Sequence, residues 1–187
     1  MNCQTIIAGV GGQGVLFAAK VLTEIARGRK IPVLGSQTFG MAQRGGSVMT
    51  HLKMGNFESP MVCEGDANLL LALDCTEAHR TLPYLHLERD GKHALCVVNV
   101  PTASAFPDPR VAELLADMGV IVLTCNADAI AMEMRQPLVA NLVLLGFGAA
   151  HPGFPFRYEE IRTATESLSS QAHLETNLEA LERGHML

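Results

Sequence analysis

A glycine-rich turn near the N-terminus is the first place where residue types and spacing could do chemistry. Residues 9–14 match the pattern GxGxxG between an apolar run and a segment of helical periodicity, which is the context that a dinucleotide-binding turn requires. Glycines let a backbone turn tightly, and a helix N-terminus presents unpaired N–H groups to an anion. We therefore expect a phosphate or another chain at this turn, with strand–helix packing alone as the alternative. The candidate residues are Gly9, Gly11, Gly12, Gln13 and Gly14.

The second half of the dinucleotide pattern is missing. An acidic residue that binds ribose should follow about 20 residues on, at the end of the second strand, but Leu34, Gly35 and Ser36 stand there. A P-loop is also excluded, because Val15 and Leu16 follow the last glycine where Lys and Ser or Thr are needed. The turn therefore suits a phosphate or a partner chain better than a nicotinamide or flavin dinucleotide.

A second glycine-rich stretch, FGMAQRGGSVMTHLKMG at residues 39–55, has the composition of a contact loop. The Arg44 guanidinium stands beside two glycines and suits a phosphate or a partner's carboxylate, with a solvated loop arginine as the alternative. Ser36 and Ser47 could donate to a phosphate or cap a turn. His51 is either a structural histidine or faces a partner or crevice. The candidates in and around this loop are Ser36, Gln43, Arg44, Gly45, Gly46, Ser47 and His51.

The remaining reactive residue types are not arranged for catalysis or metal binding. No Ser/His/Asp or Cys/His constellation follows from the spacing, so we predict no catalytic residue in this chain. The five cysteines form no CxxC pair, whereas metal and iron–sulfur sites need clustered thiolates. We expect buried free thiols in a reducing cytoplasm. Asp74 and Glu77 follow an apolar strand, where they either face a crevice or cap the next helix.

The elements that position these stretches follow from hydrophobic periodicity. Apolar or alternating runs predict strands at residues 3–10, 31–35, 47–54, 68–73, 94–98 and 120–124. Helical spacing predicts helices at residues 12–27, 76–82, 109–118, 128–135, 138–150, 158–168 and 174–183. Strands alternate with helices, and most strands are apolar throughout. We therefore predict an α/β fold, a Rossmann-like three-layer domain with a mainly parallel sheet and C-terminal helices, over residues 1–187 as a single domain.

Composition excludes several classes of partner. The chain has 187 residues and a net charge of −5, and without a basic run it lacks the electrostatic footprint of a nucleic-acid-binding protein. No apolar stretch approaches the roughly 20 residues that span a bilayer. The N-terminus shows no signal-peptide pattern. We expect a cytoplasmic protein whose partners include neither nucleic acid nor membrane.

Three segments together carry a resemblance to a known family. IAGVGGQGVLFAAKVL, GSQTFGMAQRGGSVMTHLKMG and ANLLLALDCTEAHRTLPYL resemble the gamma-type subunit of 2-oxoacid:ferredoxin oxidoreductases, and most of all the small (beta) subunit of indolepyruvate ferredoxin oxidoreductases. The phrase GMAQRGGSV is specific to that subgroup. The pattern from Asn141 to Gly146, followed by Asn177, Ala180 and Gly184, resembles the family's C-terminal part. The resemblance spans nearly the whole chain.

The resemblance implies that this chain is one part of an enzyme. In this family a larger partner holds thiamine diphosphate and iron–sulfur clusters, decarboxylates the 2-oxoacid, and passes electrons to ferredoxin and the acyl group to coenzyme A. The gamma-type subunit packs against the thiamine-bearing subunit and helps form the coenzyme A side of the site. The sequence fits an accessory role, because Gly65-Asp66-Ala67 lacks the last glycine of a thiamine-binding GDG motif. The substrate implied is indolepyruvate or another aryl pyruvate.

Two alternatives to this reading stay open. One is a free-standing dinucleotide-binding oxidoreductase, which the missing ribose-binding acid disfavours. The other is an assembly module of the same fold that binds no ligand. The sequence also leaves open how many partner chains there are and whether two copies of this chain pair within the assembly.

Overall fold

The computed structural model describes residues 2–40, 45–87, 91, 93–101, 106, 108 and 110–187. The strands in these ranges are β1 (Cys3–Val10), β2 (Val33–Phe39), β3 (Ser47–Met54), β4 (Leu69–Ala72), β5 (Ala94–Asn99) and β6 (Val120–Cys125). The helices are α1 (Val15–Gly28), α2 (Cys75–Thr81), α3 (Arg110–Asp117), α4 (Ala127–Glu133), α5 (Ala140–Ala150), α6 (Tyr158–Leu168) and α7 (Leu174–His185). Short 3₁₀ turns occupy Leu82–Tyr84 and Pro137–Val139. No helix within the described ranges combines the length and the apolar character needed to cross a membrane.

The strands form one sheet in the order β2-β3-β1-β4-β5-β6. β1, β4, β5 and β6 are parallel to one another, and β3 is antiparallel to both of its neighbours. The register of β1 and β3 runs from Cys3 opposite Met54 to Val10 opposite Ser47. The predicted mainly parallel sheet is therefore confirmed, with one reversed strand that the apolar patterns did not reveal.

Helices cover both faces of the sheet because the central strands are apolar on both sides. Ile6 and Ile7 of β1 are fully buried in two separate apolar clusters, one on each face. The cluster around Ile7 includes residues of α1, α4, α5, α6 and α7, and the cluster around Ile6 includes residues of α2 and α3. The three-layer α/β architecture and the C-terminal helices are confirmed.

Two elements near the glycine stretches differ from the prediction at their boundaries. β2 begins at Val33 and continues to Phe39, beyond the predicted range 31–35. Its polar second half pairs with β3 at the edge of the sheet, where side chains can face water. α1 begins at Val15 rather than at residue 12, because Gly14 takes the N-cap position with a φ of 81°.

Candidate functional site

The turn between β1 and α1 is closed by its own glutamine. The side-chain Oε1 of Gln13 accepts a hydrogen bond from the backbone N–H of Val10 at 2.7 Å, and the Gln13 N–H donates to the Val10 carbonyl at 3.1 Å. Gln13, which the sequence marked as a candidate, thus holds the turn through both its side chain and its backbone.

The glycines of this turn are required for different reasons. A Cβ at Gly9 would lie 2.9 Å from both Gln13 Oε1 and the Val15 side chain, so packing accounts for Gly9. Gly12 has a φ of 106°, and a Cβ added there would meet no atom within 4 Å apart from its chain neighbours. Only the backbone conformation of Gly12 therefore requires glycine. A Cβ at Gly11 would make an ordinary contact, 3.6 Å from the Gly46 carbonyl. Strand–helix packing therefore explains only part of the motif.

The N-terminus of α1 opens without a side-chain cap. Its N-cap residue, Gly14, offers no side-chain hydrogen bond, and the first turn contains no acidic residue. The Gly14 carbonyl accepts from the N–H groups of Phe17 and Ala18, each at 3.0 Å. The positive end of the helix dipole is consequently left for a group outside the helix.

Hydrogen bonds tie the second glycine stretch to the first. The Gly11 N–H donates to the Gly46 carbonyl at 2.8 Å, and the Gly40 N–H donates to the Ser47 carbonyl at 2.7 Å. Gly45 has a φ of 72°, a conformation that favours glycine. The two stretches that the sequence marked separately therefore meet at the end of β1.

A cleft of about 560 Å³ lies between the two stretches. We call it the glycine cleft, and it is lined by Val10, Gly11, Gly12, Gly14, Val15, Leu16, Phe39, Gly40, Gly46, Ser47 and Val48. Its apolar wall includes Phe39, which is 58% exposed, and Leu16, which is 38% exposed. The cleft thus combines an uncapped helix N-terminus with an apolar wall.

Phe39 and Leu16 were not among the candidates drawn from the sequence. The register of β2 and β3 pairs Phe39 with Val48, which places both on the α1 face of the sheet beside Leu16. The helical periodicity that placed Leu16 on α1 could not reveal this neighbourhood, because the antiparallel pairing of β2 and β3 creates it.

Ser36 and His51 lie away from the glycine cleft, although both were candidates for it. They are register partners in the middle of β2 and β3, and Ser36 lines a separate groove beside α1 together with Lys20 and Thr23. Ser36 therefore does not flank the loop, because β2 continues three residues beyond it to Phe39. Gln43 and Arg44 lie outside the described residues.

His51 is a buried histidine with structural contacts. It is fully buried, its Nδ1 accepts from the Val62 N–H at 3.2 Å, and its ring packs edge-on against Tyr84 at 5.5 Å. Burial, and secondarily the charge of Lys53, lower the pKa of His51 from its ordinary value of 6.5. The neutral imidazole is thus the favoured form, as expected for a histidine inside the fold.

The two acidic residues after β4 have distinct contacts. Asp74 caps α2, because its Oδ1 accepts from the N–H groups of Thr76 at 2.8 Å and Glu77 at 3.1 Å. Glu77 is 6% exposed, and its Oε2 accepts from the Ser47 hydroxyl at 2.6 Å. The capping interpretation is correct for Asp74, whereas Glu77 contacts the glycine stretch instead.

The cysteines are all free, but they differ in burial. Cys3, Cys96 and Cys125 are buried as expected, whereas Cys63 is exposed and Cys75 is half-buried. Burial raises the pKa of Cys96 and of Cys125 to about 12, so both are unreactive thiols. Across the ranges that the structure describes, no three His, Cys, Asp or Glu side chains are grouped so that they could hold a metal ion.

The sequence is similar to known proteins along nearly its whole length. The family described as "Pyruvate ferredoxin/flavodoxin oxidoreductase" matches residues 4–187. Indolepyruvate oxidoreductase subunit IorB from Methanothermobacter thermautotrophicus is 32% identical over 189 residues, which cover 98% of this chain and 96% of that protein.

Solved structures share the fold. The gamma subunit of a keto/oxoacid ferredoxin oxidoreductase from Geobacter sulfurreducens has a TM-score of 0.71 at 21% identity, covering 98% of this chain and 96% of its own. A 2-oxoglutarate:ferredoxin oxidoreductase from Magnetococcus marinus, solved with 2-oxoglutarate, coenzyme A and succinyl-CoA bound, has a TM-score of 0.72 at 18% identity, covering 99% of this chain and 30% of its own. The full-length match shows that this chain belongs to the pyruvate ferredoxin/flavodoxin oxidoreductase family, as a small subunit of a 2-oxoacid:ferredoxin oxidoreductase.

Proposed function

We propose that this chain is the accessory subunit of an oxidoreductase that converts indolepyruvate or another aryl pyruvate into acyl-CoA, CO₂ and reduced ferredoxin. Thiamine diphosphate and the iron–sulfur clusters belong to the larger partner subunit, which supplies the decarboxylation and the electron path to ferredoxin. Residues 1–187 act as one domain that packs on this partner. The aryl pyruvate preference is supported by the similarity to IorB, named for indolepyruvate.

The glycine cleft is the proposed contact with both the partner and coenzyme A. The single observation that carries this proposal is the uncapped N-terminus of α1 beside Gly11 and Gly12. Backbone N–H groups and a helix dipole suit the phosphates of coenzyme A. The exposed Phe39 is the kind of aromatic side chain that is enriched in protein interfaces.

The topology disfavours the free-standing dinucleotide oxidoreductase. The ribose-binding acid of a dinucleotide site stands at the end of the strand after the first helix, next to β1. Here β3 lies between β1 and β2, so the end of β2 is one strand further from the glycine turn. The ligand-free assembly module is the rival that an experiment must separate.

The test places one negative charge in the cleft. Leu16 lies in the first turn of α1, so Leu16→Glu keeps a side chain that a helix N-terminus tolerates while repelling phosphate. In the complex assembled with its native partner subunits, we expect the KM for coenzyme A to rise about tenfold with little change in kcat. The matched control is Leu114→Glu on α3, where Leu114 is 53% exposed outside the cleft.

An unchanged KM in Leu16→Glu, in a complex that still assembles, would contradict a coenzyme A role and favour the ligand-free module. Titration of the free chain with NADH and NADPH addresses the remaining alternative. Saturable binding of either dinucleotide would contradict the accessory-subunit proposal.

A further inference from the structure

Glu77 lies on the opposite face of the sheet from the glycine cleft, yet it contacts one of the cleft's residues. It belongs to α2, which packs in the apolar cluster around Ile6. The cleft is on the other face, with α1. Ser47 begins β3, and its hydroxyl donates to Glu77 Oε2 at 2.6 Å. The Glu77 carboxylate therefore contacts the wall of the cleft from the α2 face of the sheet.

Besides the hydrogen bond to Glu77, two backbone hydrogen bonds connect Gly46 and Ser47 to neighbouring segments. Gly46, immediately before Ser47, accepts at its carbonyl from the Gly11 N–H at 2.8 Å. The Ser47 carbonyl accepts from the Gly40 N–H at 2.7 Å. Fixing Ser47 thus fixes the segment that pairs with the glycine turn and with the end of β2.

This segment needs an external restraint because glycine gives it little of its own. Gly45 and Gly46 carry no side chains that could pack, and glycine loses more backbone freedom on ordering than other residues. A hydrogen bond to a carboxylate is stronger than one between neutral groups. Among the residues that the structure describes, the Glu77 carboxylate also accepts from the Arg80 guanidinium at 3.4 Å, and the Arg80 side chain is 64% exposed.

The burial of Glu77 is unusual for a carboxylate and therefore calls for a structural reason. Glu77 is 6% exposed, and keeping a carboxylate away from water costs free energy unless its partners compensate. The hydrogen bond from the Ser47 hydroxyl compensates part of this cost, and it restrains the segment that contains Ser47. We propose that Glu77 is a positioning residue that holds Gly46 and Ser47 in the wall of the glycine cleft.

This proposal rests on the proposed function only for what the cleft binds, and its first test does not depend on that function. Hydrogen exchange is measured on the full chain for Glu77→Ala, Ser47→Ala, Glu77→Gln and the control Glu113→Ala on the exposed side of α3. In both alanine variants that remove the hydroxyl–carboxylate bond, we expect the Gly11 amide to exchange about tenfold faster. Glu77→Gln keeps an acceptor but loses the charge, so its Gly11 amide should exchange at a rate between those of the native protein and Glu77→Ala. Glu113→Ala should stay near the native rate.

The bond also predicts coupling between the two positions. The double variant Ser47→Ala/Glu77→Ala should exchange no faster at Gly11 than the more affected single variant, because both remove the same bond. If Glu77→Ala does not fold, Ser47→Ala measures the bond by itself. Native protection of Gly11 in a folded Ser47→Ala variant would overturn the proposal.

Steady-state kinetics of the assembled complex separate the two proposals. If both hold, Ser47→Ala raises the KM for coenzyme A about fivefold, Glu77→Gln raises it by less, and the control Glu113→Ala leaves it near the native value. Faster exchange at Gly11 with an unchanged KM supports the positioning role and contradicts the coenzyme A role. Unchanged exchange at Gly11 contradicts the positioning role whatever the KM does.

Discussion

The side-chain amide of Asn141 donates a hydrogen bond at 3.1 Å to the backbone carbonyl of Gly14, 127 positions earlier in the chain. Asn141 is 2% exposed, and its Oδ1 accepts from the Leu142 N–H at 2.8 Å, so the start of α5 and the start of α1 are held by one side chain. The geometry of the glycine cleft therefore depends on the C-terminal helices as well as on the glycine motif.

Gly14→Ala is expected to destabilise the chain by about 2–3 kcal/mol. The new Cβ would lie 2.3 Å from Asn141 Nδ2, at a residue whose φ is 81°. Urea unfolding of the full chain measures the change. Gly28→Ala is the control, because a Cβ added at Gly28 would meet no atom within 4 Å outside its own helix backbone. It should change the stability by no more than about 1 kcal/mol. Equal stability of the two variants would contradict the packing described around Gly14.

The packing of α5 on α7 depends on one glycine from each helix. A Cβ at Gly146 would lie 2.0 Å from the Leu181 carbonyl oxygen, and a Cβ at Gly184 would lie 2.0 Å from the Val143 carbonyl oxygen. Backbone atoms cannot move aside as a side chain would, so we expect either Gly→Ala substitution to cost more than about 3 kcal/mol.

Thermal unfolding of Gly146→Ala, Gly184→Ala and the double variant measures this contact. Once one substitution has separated the helices, the second should cost less, so the double variant should be less destabilised than the sum. A Tm within a few degrees of the native value for either single variant would show that the two helices do not meet at these glycines.

An ion pair between α6 and the residue after α1 gives stability a pH dependence. Arg29 Nε donates to Glu160 Oε1 at 2.7 Å, and this guanidinium, with smaller contributions from the N–H and the side chain of Arg157, lowers the pKa of Glu160 from 4.5 to about 2. Because the pKa is lower in the folded state, the pair stabilises the fold above about pH 4.5. This contribution is lost as the pH falls from 4.5 towards 2.

Glu160→Gln should therefore cost about 2 kcal/mol at neutral pH and much less at pH 2–3. The comparison is Glu166→Gln, whose ion pair with Arg162 is exposed at 3.4 Å and should contribute about 0–1 kcal/mol. Unfolding free energies for both variants are measured between pH 2 and 7. A destabilisation by Glu160→Gln that is constant across this range would be inconsistent with the Arg29 pair as its cause.

Phe39→Asp should weaken assembly with the larger subunit. Phe39 is 58% exposed at the rim of the glycine cleft, so a charge there should lower affinity about tenfold or more while leaving the fold intact. Leu138→Asp serves as the matched control, because Leu138 is 72% exposed outside the cleft. Affinity is measured by titrating the full chain into the partner subunit. Equal affinities for the two variants would place the interface elsewhere.

The secondary structure was largely predictable because burial imposes period two on strands and period 3.6 on helices. β1 and β3 begin and end as predicted. Strand direction was not predictable in the same way, since an apolar run does not distinguish parallel from antiparallel pairing. β3 is the case in point, because both of its neighbours are antiparallel to it.

The candidate site was predictable only where its residues are close in sequence. The GxGxxG pattern predicted the turn, because its glycines are required by the local backbone conformation. The partners of those glycines come from tertiary contacts instead. Asn141 reaches Gly14 from α5, and Glu77 reaches Ser47 from the other face of the sheet. Neither the separation of two residues in the sequence nor their types predicts such a contact.

The measurement that tests the central claim most directly is an affinity purification of the tagged full chain from its native cell under anaerobic conditions. Mass spectrometry identifies what co-purifies, and visible absorbance reports iron–sulfur clusters. We expect a larger thiamine-binding, iron–sulfur protein in stoichiometric amount, in a complex that reduces a dye in the presence of an aryl pyruvate and coenzyme A. A colourless chain that purifies alone would contradict the claim that it works as the accessory subunit of such an enzyme.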